Sequence, residues 1–131
     1  MSDTPTIVRD VMIKKAPCID GMATCRDAAS LMRDEGLTYL LVNKRNDDDA
    51  WGIVSYTDLV RAVVIKGNAA EDVNVYEIMT KPVITVPADM DIRFAATLLD
   101  RVGLRCAPVD DKGELVGMMS IVSLVEDSNL F

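Results

Sequence analysis

The sequence predicts a mixed α/β (α+β) fold: two copies of one β-α-β-β-α unit, related by a pseudo-twofold axis. Three observations predict it. The first is an internal repeat. At a shift of 67, Met12 meets Met79, Arg26 meets Arg93, Ala28-Ala29 meets Ala95-Ala96, Leu31 meets Leu98, Gly36-Leu37 meets Gly103-Leu104 and Val42 meets Val109. The first copy then holds two extra residues; at a shift of 65, Gly52 meets Gly117, Ser55 meets Ser120 and Leu59-Val60 meets Leu124-Val125. The second is composition: 131 residues, 50% of them hydrophobic, are enough to bury roughly two thirds of the unfolded surface in a core. The third is that both copies alternate extended and helical patterns in the same order. Open solenoids need about three repeats or more, so a pair closes on itself. The boundary falls in the linker Gly67-Asn68-Ala69-Ala70-Glu71-Asp72, giving repeats 1–67 and 68–131.

Each copy opens with a short amphipathic lead-in, Ile7 to Met12 and Val75 to Met79. An extended piece follows, Ala16 to Ile19 and Val83 to Val86. The proline of Lys81-Pro82 and the β-branched run after it favour a strand. Next comes a helix. Thr24-Cys25-Arg26-Asp27 is a capping-box pattern, and Gly36 stops that helix. In the second copy Asp91 is the cap, Ile92, Ala95, Ala96 and Leu99 give the apolar face, and Gly103 ends it. Two strands then read as hairpins: Tyr39 to Asn43 with Trp51 to Ser55, and Cys106 to Val109 with Leu115 to Ser120. The tip Asp110-Asp111-Lys112-Gly113 has turn residues. Asp47-Asp48-Asp49 in the other tip lacks the EF-hand spacing and its glycine, and is read as a solvated loop. A last helix closes each copy, Tyr56 to Lys66 and Ile121 to Asp127.

The chemistry concentrates at Gly52-Ile53-Val54-Ser55-Tyr56-Thr57-Asp58, where a strand ends and a helix starts. Two readings stand side by side. In one, Ser55 and Asp58 are a capping box. In the other, the N–H groups of the helix start attract phosphate and the carboxylate accepts both hydroxyls of a ribose.

Composition excludes several classes. There is no histidine, which removes Ser/His and Cys/His dyads and the usual zinc sets. With no carboxylate pair placed for acid–base work, the expectation is not an enzyme. Cys18, Cys25 and Cys106 form no C-x-x-C and fit reduced, buried thiols. The net charge of −7 argues against nucleic acid. No apolar run has membrane-span length, and Met1 to Thr6 lacks a signal sequence, so a cytoplasmic location is expected.

A tandem β-α-β-β-α unit with G-h-h-S-x-x-(D/S) at each last strand–helix junction, and Met79-Thr80-Lys81-Pro82 at a repeat start, resembles the CBS domain in its paired form, the Bateman module. The likeness runs from about Thr6 to Asp127. It implies a stand-alone regulatory sensor that holds an adenine nucleotide (AMP, ADP or ATP) between its repeats, has no cofactor and signals to an unidentified partner protein. The serine and aspartate of the motif map to Ser55 and Asp58, with Thr57 beside them. Ile53, Tyr39 and Leu40 would line the same site, with Leu104, Arg105, Cys106, Thr80, Pro82 and Ile84 from the other copy and its lead-in. Arg105 is either the phosphate cation or a solvated strand-edge residue. The second copy departs from the pattern: Met118, Ser120 and Ser123 mark a weaker cleft, because Ser123 stands where the carboxylate belongs. The alternative is a CBS-like structural or protein-interaction module with no ligand. Apolar residues on more than one side of Arg26 to Glu35 and Ile92 to Val102, notably Leu31, Met32, Leu98 and Leu99, predict a homodimer.

Overall fold

Local sequence signals set the element boundaries of this computed structural model, which describes residues 6–131. Met1–Pro5, part of the stretch expected to hold no signal sequence, lie outside the described residues. The elements are α1 (Val8–Val11), β1 (Cys18–Ile19), α2 (Cys25–Glu35), β2 (Tyr39–Val42), β3 (Gly52–Ser55), α3 (Tyr56–Leu59), β4 (Val86–Pro87), α4 (Ile92–Val102), β5 (Cys106–Asp111), β6 (Glu114–Ser120) and α5 (Ile121–Asp127). Thr24 and Asp27 exchange both bonds of a capping box at 3.0 and 3.1 Å, and Asp91 caps α4 through the Arg93 N–H. Gly36 and Gly103 end α2 and α4 in the left-handed region at φ 65° and 70°, where a side chain is costly.

There are two three-stranded sheets, β1-β2-β3 and β4-β5-β6, each with one parallel and one antiparallel pairing. This is the mixed architecture that the repeat predicts. The folded units, however, are not cut where the sequence repeats are. One comprises Pro17–Val83; the other joins the N-terminal segment up to Ala16 to Ile84–Phe131. Each unit has therefore exchanged its lead-in for that of the other copy. Val8 and Val11 sit in the core with Val86, Ile92, Leu99, Val109 and Met119. Val75 sits in the other core with Ile19, Met32, Leu40, Val54 and Leu59. The bonding is equivalent residue for residue. Ile7 bridges Asp91 as Asn74 bridges Thr24, and Ile13 bridges Met118 as Thr80 bridges Ile53.

Several expectations change. The first strand shrinks to Cys18–Ile19, because Pro17 has no N–H for the ladder and offers only its carbonyl, to the Leu41 N–H. The expected strand Val83 to Val86 is split: the Val83 N–H goes to Trp51 O at 3.0 Å, while Val86 starts β4 beside Val109. The helix expected over Tyr56 to Lys66 is α3 followed by a π-helical segment, Val60–Ile65. Its wider turn ends with Lys66 N–H on Arg61 O, and Asn68 closes it through Ala62 O. Cys25 is buried, but Cys18 is exposed and Cys106 only partly covered, so the thiols are not uniformly interior.

The two-sided apolar character expected for α2 and α4 is found in α4, where Phe94 and Val102 are exposed, and not in α2; the four residues named for it do not supply it. Met32 and Leu99 are fully buried, and Leu31 and Leu98 pack partly buried against the core of their own unit. Further outward apolar residues are Ile121, Val122 and Val125 in the same unit as α4, and Tyr56, Val60, Val64 and Ile65 in the other. Among the described residues, no helix is long and apolar enough to cross a membrane and no group of side chains is arranged to hold a metal ion.

Candidate functional site

The β3–α3 junction is built from both ends. β3 pairs with β2 in a register that sets Ser55 opposite Tyr39, and the Tyr56 N–H donates to Thr38 O at 3.0 Å. Ser55 is extended, at φ −124° and ψ 169°, as an N-cap requires. Its N–H donates to Asp58 Oδ2 at 2.8 Å and its hydroxyl to the same oxygen at 3.1 Å; the return bond, Asp58 N–H to Ser55 Oγ, is long at 3.4 Å. The cap therefore uses one carboxylate oxygen. The other, Oδ1, faces Arg61 Nη1 at 4.0 Å, one turn along, with the Asp58 side chain 15% exposed. Thr57 is exposed beside it. The junction is a complete capping box that still has a charged acceptor to offer.

The flank is supplied by the lead-in of the second copy. Ile53 and Thr80 exchange backbone bonds at 2.9 and 2.8 Å. Gly52 lets that segment lie close: a Cβ would sit 2.8 Å from Met79 Sδ and 3.3 Å from Thr80 O. Thr80 and Pro82 are exposed. Tyr39 and Leu40 belong to the core instead. Leu40 is fully buried and Tyr39 nearly so, so they support the junction from behind.

Asp47 and Asp48 are exposed, as a solvated loop requires, but Asp49 departs from that reading. Its side chain is only 8% exposed, takes Lys81 Nζ at 2.6 Å and accepts from the Arg45 N–H at 2.9 Å. The Lys81 bond first, then the Arg45 N–H, hold its carboxyl well below the usual carboxylate range. Sequence reasoning also passed over Arg61, which the i, i+3 spacing from Asp58 places on the same helix face. The signal for Asp49 was the two-residue insertion in that hairpin, but its partner lies too far along the chain to be read from spacing.

In the other unit, Ser120 and Ser123 form the matching box. Ser120 N–H donates to Ser123 Oγ at 3.0 Å, Ser123 N–H to Ser120 Oγ at 3.1 Å, and Ser123 Oγ–H to Ser120 O at 2.9 Å. Both serines are buried, Ser123 at 2% exposure, so the box is neutral and closed on itself. Met118 is fully buried and bonded to Ile13. Cys106 pairs with Ser120 across β5 and β6, and burial pushes its thiol up to about 11. Arg105 is exposed and gives its carbonyl to the Ile121 N–H; Leu104 packs on the core, and Ile84 is exposed.

Comparison with known proteins agrees with this geometry. The CBS domain matches twice, at residues 8–65 and 75–128. An uncharacterized protein of Methanopyrus kandleri is 35% identical over 105 residues, 79% of this chain and 53% of its own length. A homoserine O-acetyltransferase of Methanocorpusculum labreanum is 33% identical over 122 residues, 92% of this chain but 24% of the enzyme. The chain thus spans about half the length of the first relative and a quarter of the second. Among solved structures, a hexameric CBS-CP12 protein from bloom-forming cyanobacteria is 31% identical with a TM-score of 0.92, covering 98% of this chain and 75% of that one. A CBS domain pair in complex with 5′-methylthioadenosine and S-adenosyl-L-methionine shares the fold at a TM-score of 0.79 and 21% identity, over 94% of this chain and 95% of that one. With two matches in tandem over most of its length, each ending at a Ser-x-x-(Asp/Ser) junction, this chain belongs to the CBS domain family and is a CBS pair, a module of the regulatory type.

Proposed function

We propose that this CBS pair is a sensor that binds an adenine nucleotide, AMP, ADP or ATP, chiefly at the Ser55/Asp58 junction, and signals the bound state to a partner protein. One observation carries the reading. Asp58 completes its cap with one oxygen and keeps a second, charged acceptor near solvent, whereas the equivalent Ser120/Ser123 pair is neutral and buried. A ribose presents two neighbouring hydroxyls, and an ionised acceptor binds them more strongly than a neutral one. The adenosyl ligands named for one structural neighbour belong in the same test. The acetyl transfer named for the methanogen enzymes is not carried over, since the match spans about a quarter of their length and this chain has no histidine. The outward apolar residues of α3, the π-helical segment and α5 support a homodimer through those surfaces.

The test is calorimetric titration with AMP, ADP, ATP, 5′-methylthioadenosine and S-adenosylmethionine, on the parent and on Asp58→Asn. Asparagine keeps an acceptor for the Ser55 N–H, so stability should change by less than about 1 kcal/mol. Affinity should fall about tenfold or more as the charge is lost. No binding by the parent at millimolar ligand rejects the reading. The second reading, a structural or protein-interaction module without ligand, is favoured by the completeness of the Ser55/Asp58 capping box. It predicts that none of the five ligands binds.

A further inference from the structure

The hairpin between β2 and β3 holds two residues more than the one between β5 and β6, and this longer loop carries a carboxylate inside the unit. Asp49 is 8% exposed, with Lys81 Nζ on Oδ1 at 2.6 Å and the Arg45 N–H and Nε on Oδ2 at 2.9 and 3.2 Å. A carboxylate at this depth is tolerated only when its oxygens are paired and hydrogen-bonded. Lys81 lies in the lead-in that runs antiparallel along the edge of β3. That segment is attached at two points: Thr80 to Ile53 by two backbone bonds, and the Val83 N–H to Trp51 O. The ion pair sits between them in sequence. Two residues beyond Ile53, the same strand ends in Ser55 and the Asp58 junction.

Among the described residues, the other unit shows no ion pair at the equivalent of Asp49 and Lys81. Lys14 stands at the position equivalent to Lys81 and is exposed. Its lead-in is fastened further back, by Arg9 to Asp89 and Asp111 at 3.1 and 3.3 Å, with Arg9 40% and Asp89 75% exposed. Exposed pairs of that kind hold geometry weakly. So, among the described residues, the partly buried clamp and the charged junction occur in the same unit, and neither is seen in the other.

We propose that Asp49 and Lys81 are positioning residues for the ligand site: their ion pair fixes the Thr80–Pro82 segment on the edge of β3, where it flanks the Ser55/Asp58 junction. The inference rests on the ligand reading given above. It makes the two-residue insertion a functional difference between the copies.

The experiment uses the full chain in four forms: parent, Asp49→Asn, Lys81→Met and the double variant. Each is titrated with the same five adenosyl ligands, and amide hydrogen exchange is followed at Thr80 and Val83. Each single change should weaken the tightest ligand about 3- to 30-fold, the range found for residues that couple to a site without touching its ligand. The double variant should lose no more than the worse single one, since both act through one pair. Exchange at Thr80 and Val83 should be faster in all three variants. Unchanged affinity alongside faster exchange overturns the positioning role and leaves the ligand reading standing. Additive losses overturn it as well. A parent that binds none of the five overturns the ligand reading and this inference with it. Asp49→Asn keeps the shape of the side chain and its Arg45 bonds, so the test survives if Lys81→Met does not fold.

Discussion

Replacing Gly117 with alanine should destabilise the protein more than the matching change at Gly52, although the two glycines occupy equivalent places in the repeat. A Cβ at Gly117 would lie 2.5 Å from Ile13 O, 3.0 Å from Met12 Sδ and 3.3 Å from the Ile13 carbonyl carbon. The closest obstacle is backbone, and it is tied down, because Ile13 and Met118 exchange bonds at 2.7 and 2.8 Å. Normal contact needs a retreat of roughly 0.8–1 Å, which stretches both bonds past the useful range. The unit can keep the bridge and bear the overpacking, at about 1–3 kcal/mol. Or it can release two hydrogen bonds of about 0.5–1.5 kcal/mol each. Either route costs about the same. Alanine's smaller loss of backbone freedom on folding returns about 0.5–1 kcal/mol, leaving a net loss of about 0–2.5 kcal/mol, centred a little above 1. At Gly52 the nearest atom, 2.8 Å away, is Met79 Sδ, the mobile part of a flexible side chain, and Thr80 O is at 3.3 Å. Swinging the thioether aside costs about 0–1 kcal/mol net. For a chain of this size, 1 kcal/mol moves Tm by roughly 3–6 °C. Thermal melting followed by circular dichroism should put Gly117→Ala below the parent by up to about 15 °C, with Gly52→Ala between the two. Equal melting points, or the reverse order, would refute the backbone-clash argument.

Three further outcomes follow from the same geometry. Ser123→Ala removes the acceptor of the buried Ser120 N–H and should lower stability by about 1–3 kcal/mol in urea unfolding, while leaving any affinity at the Asp58 junction unchanged. The Asp49 carboxyl has a depressed pKa in the fold, so its contribution is complete above the unfolded value of about 3.9 and drains away as pH falls below it. Unfolding midpoints measured from pH 6 down to pH 2 should therefore fall more steeply for the parent than for Asp49→Asn, and parallel curves would contradict the pairing. Light scattering at tens of micromolar should give twice the 14.3 kDa chain mass, and substituting charge at Val64 and Val125 should return the particle to one chain mass.

The features legible in the sequence are those that close over three or four residues. Thr24 with Asp27, Asp91 with Arg93, Gly36 and Gly103 could all be placed because each cap is a local bargain between a side chain and the next turn. Ser55 with Asp58 is of the same kind, which is why the cap and the ligand reading arose from one motif. The repeat itself was legible because register carries through glycines and apolar positions alike. What stayed hidden depends on distant partners. Nothing near Asp49 in the chain marks Lys81 as its counter-ion, so the last residue of an acidic run read as solvent-facing turned inward while Asp47 and Asp48 stayed exposed. Val83 to Val86 reads as one strand by propensity, yet two folded units claim its ends. No residue type in Val60 to Ile65 marks the widening of the first copy's last helix into a π turn, from which Ala62 packs in the core beside Leu59.

The crossed lead-ins bear on what half of this molecule would be. A fragment ending at Gly67 has β3 but not Thr80 or Val83, so an edge strand is left with unpaired backbone groups and a core without Val75. The complementary fragment has β6 but not Ile13, and lacks Val8 and Val11. Neither piece holds the full set of core and edge contacts of a folded unit, and each carries the part the other lacks. Two severed halves would regain their native pairing only by lending their ends in trans, at a cost set by their concentration. The tether from Gly67 to Asp72 makes that loan intramolecular, replacing a bimolecular encounter with an effective concentration on the order of millimolar. The linker thus acts as a chaperone for strand pairing, and cutting it should leave a protein whose stability depends on dilution.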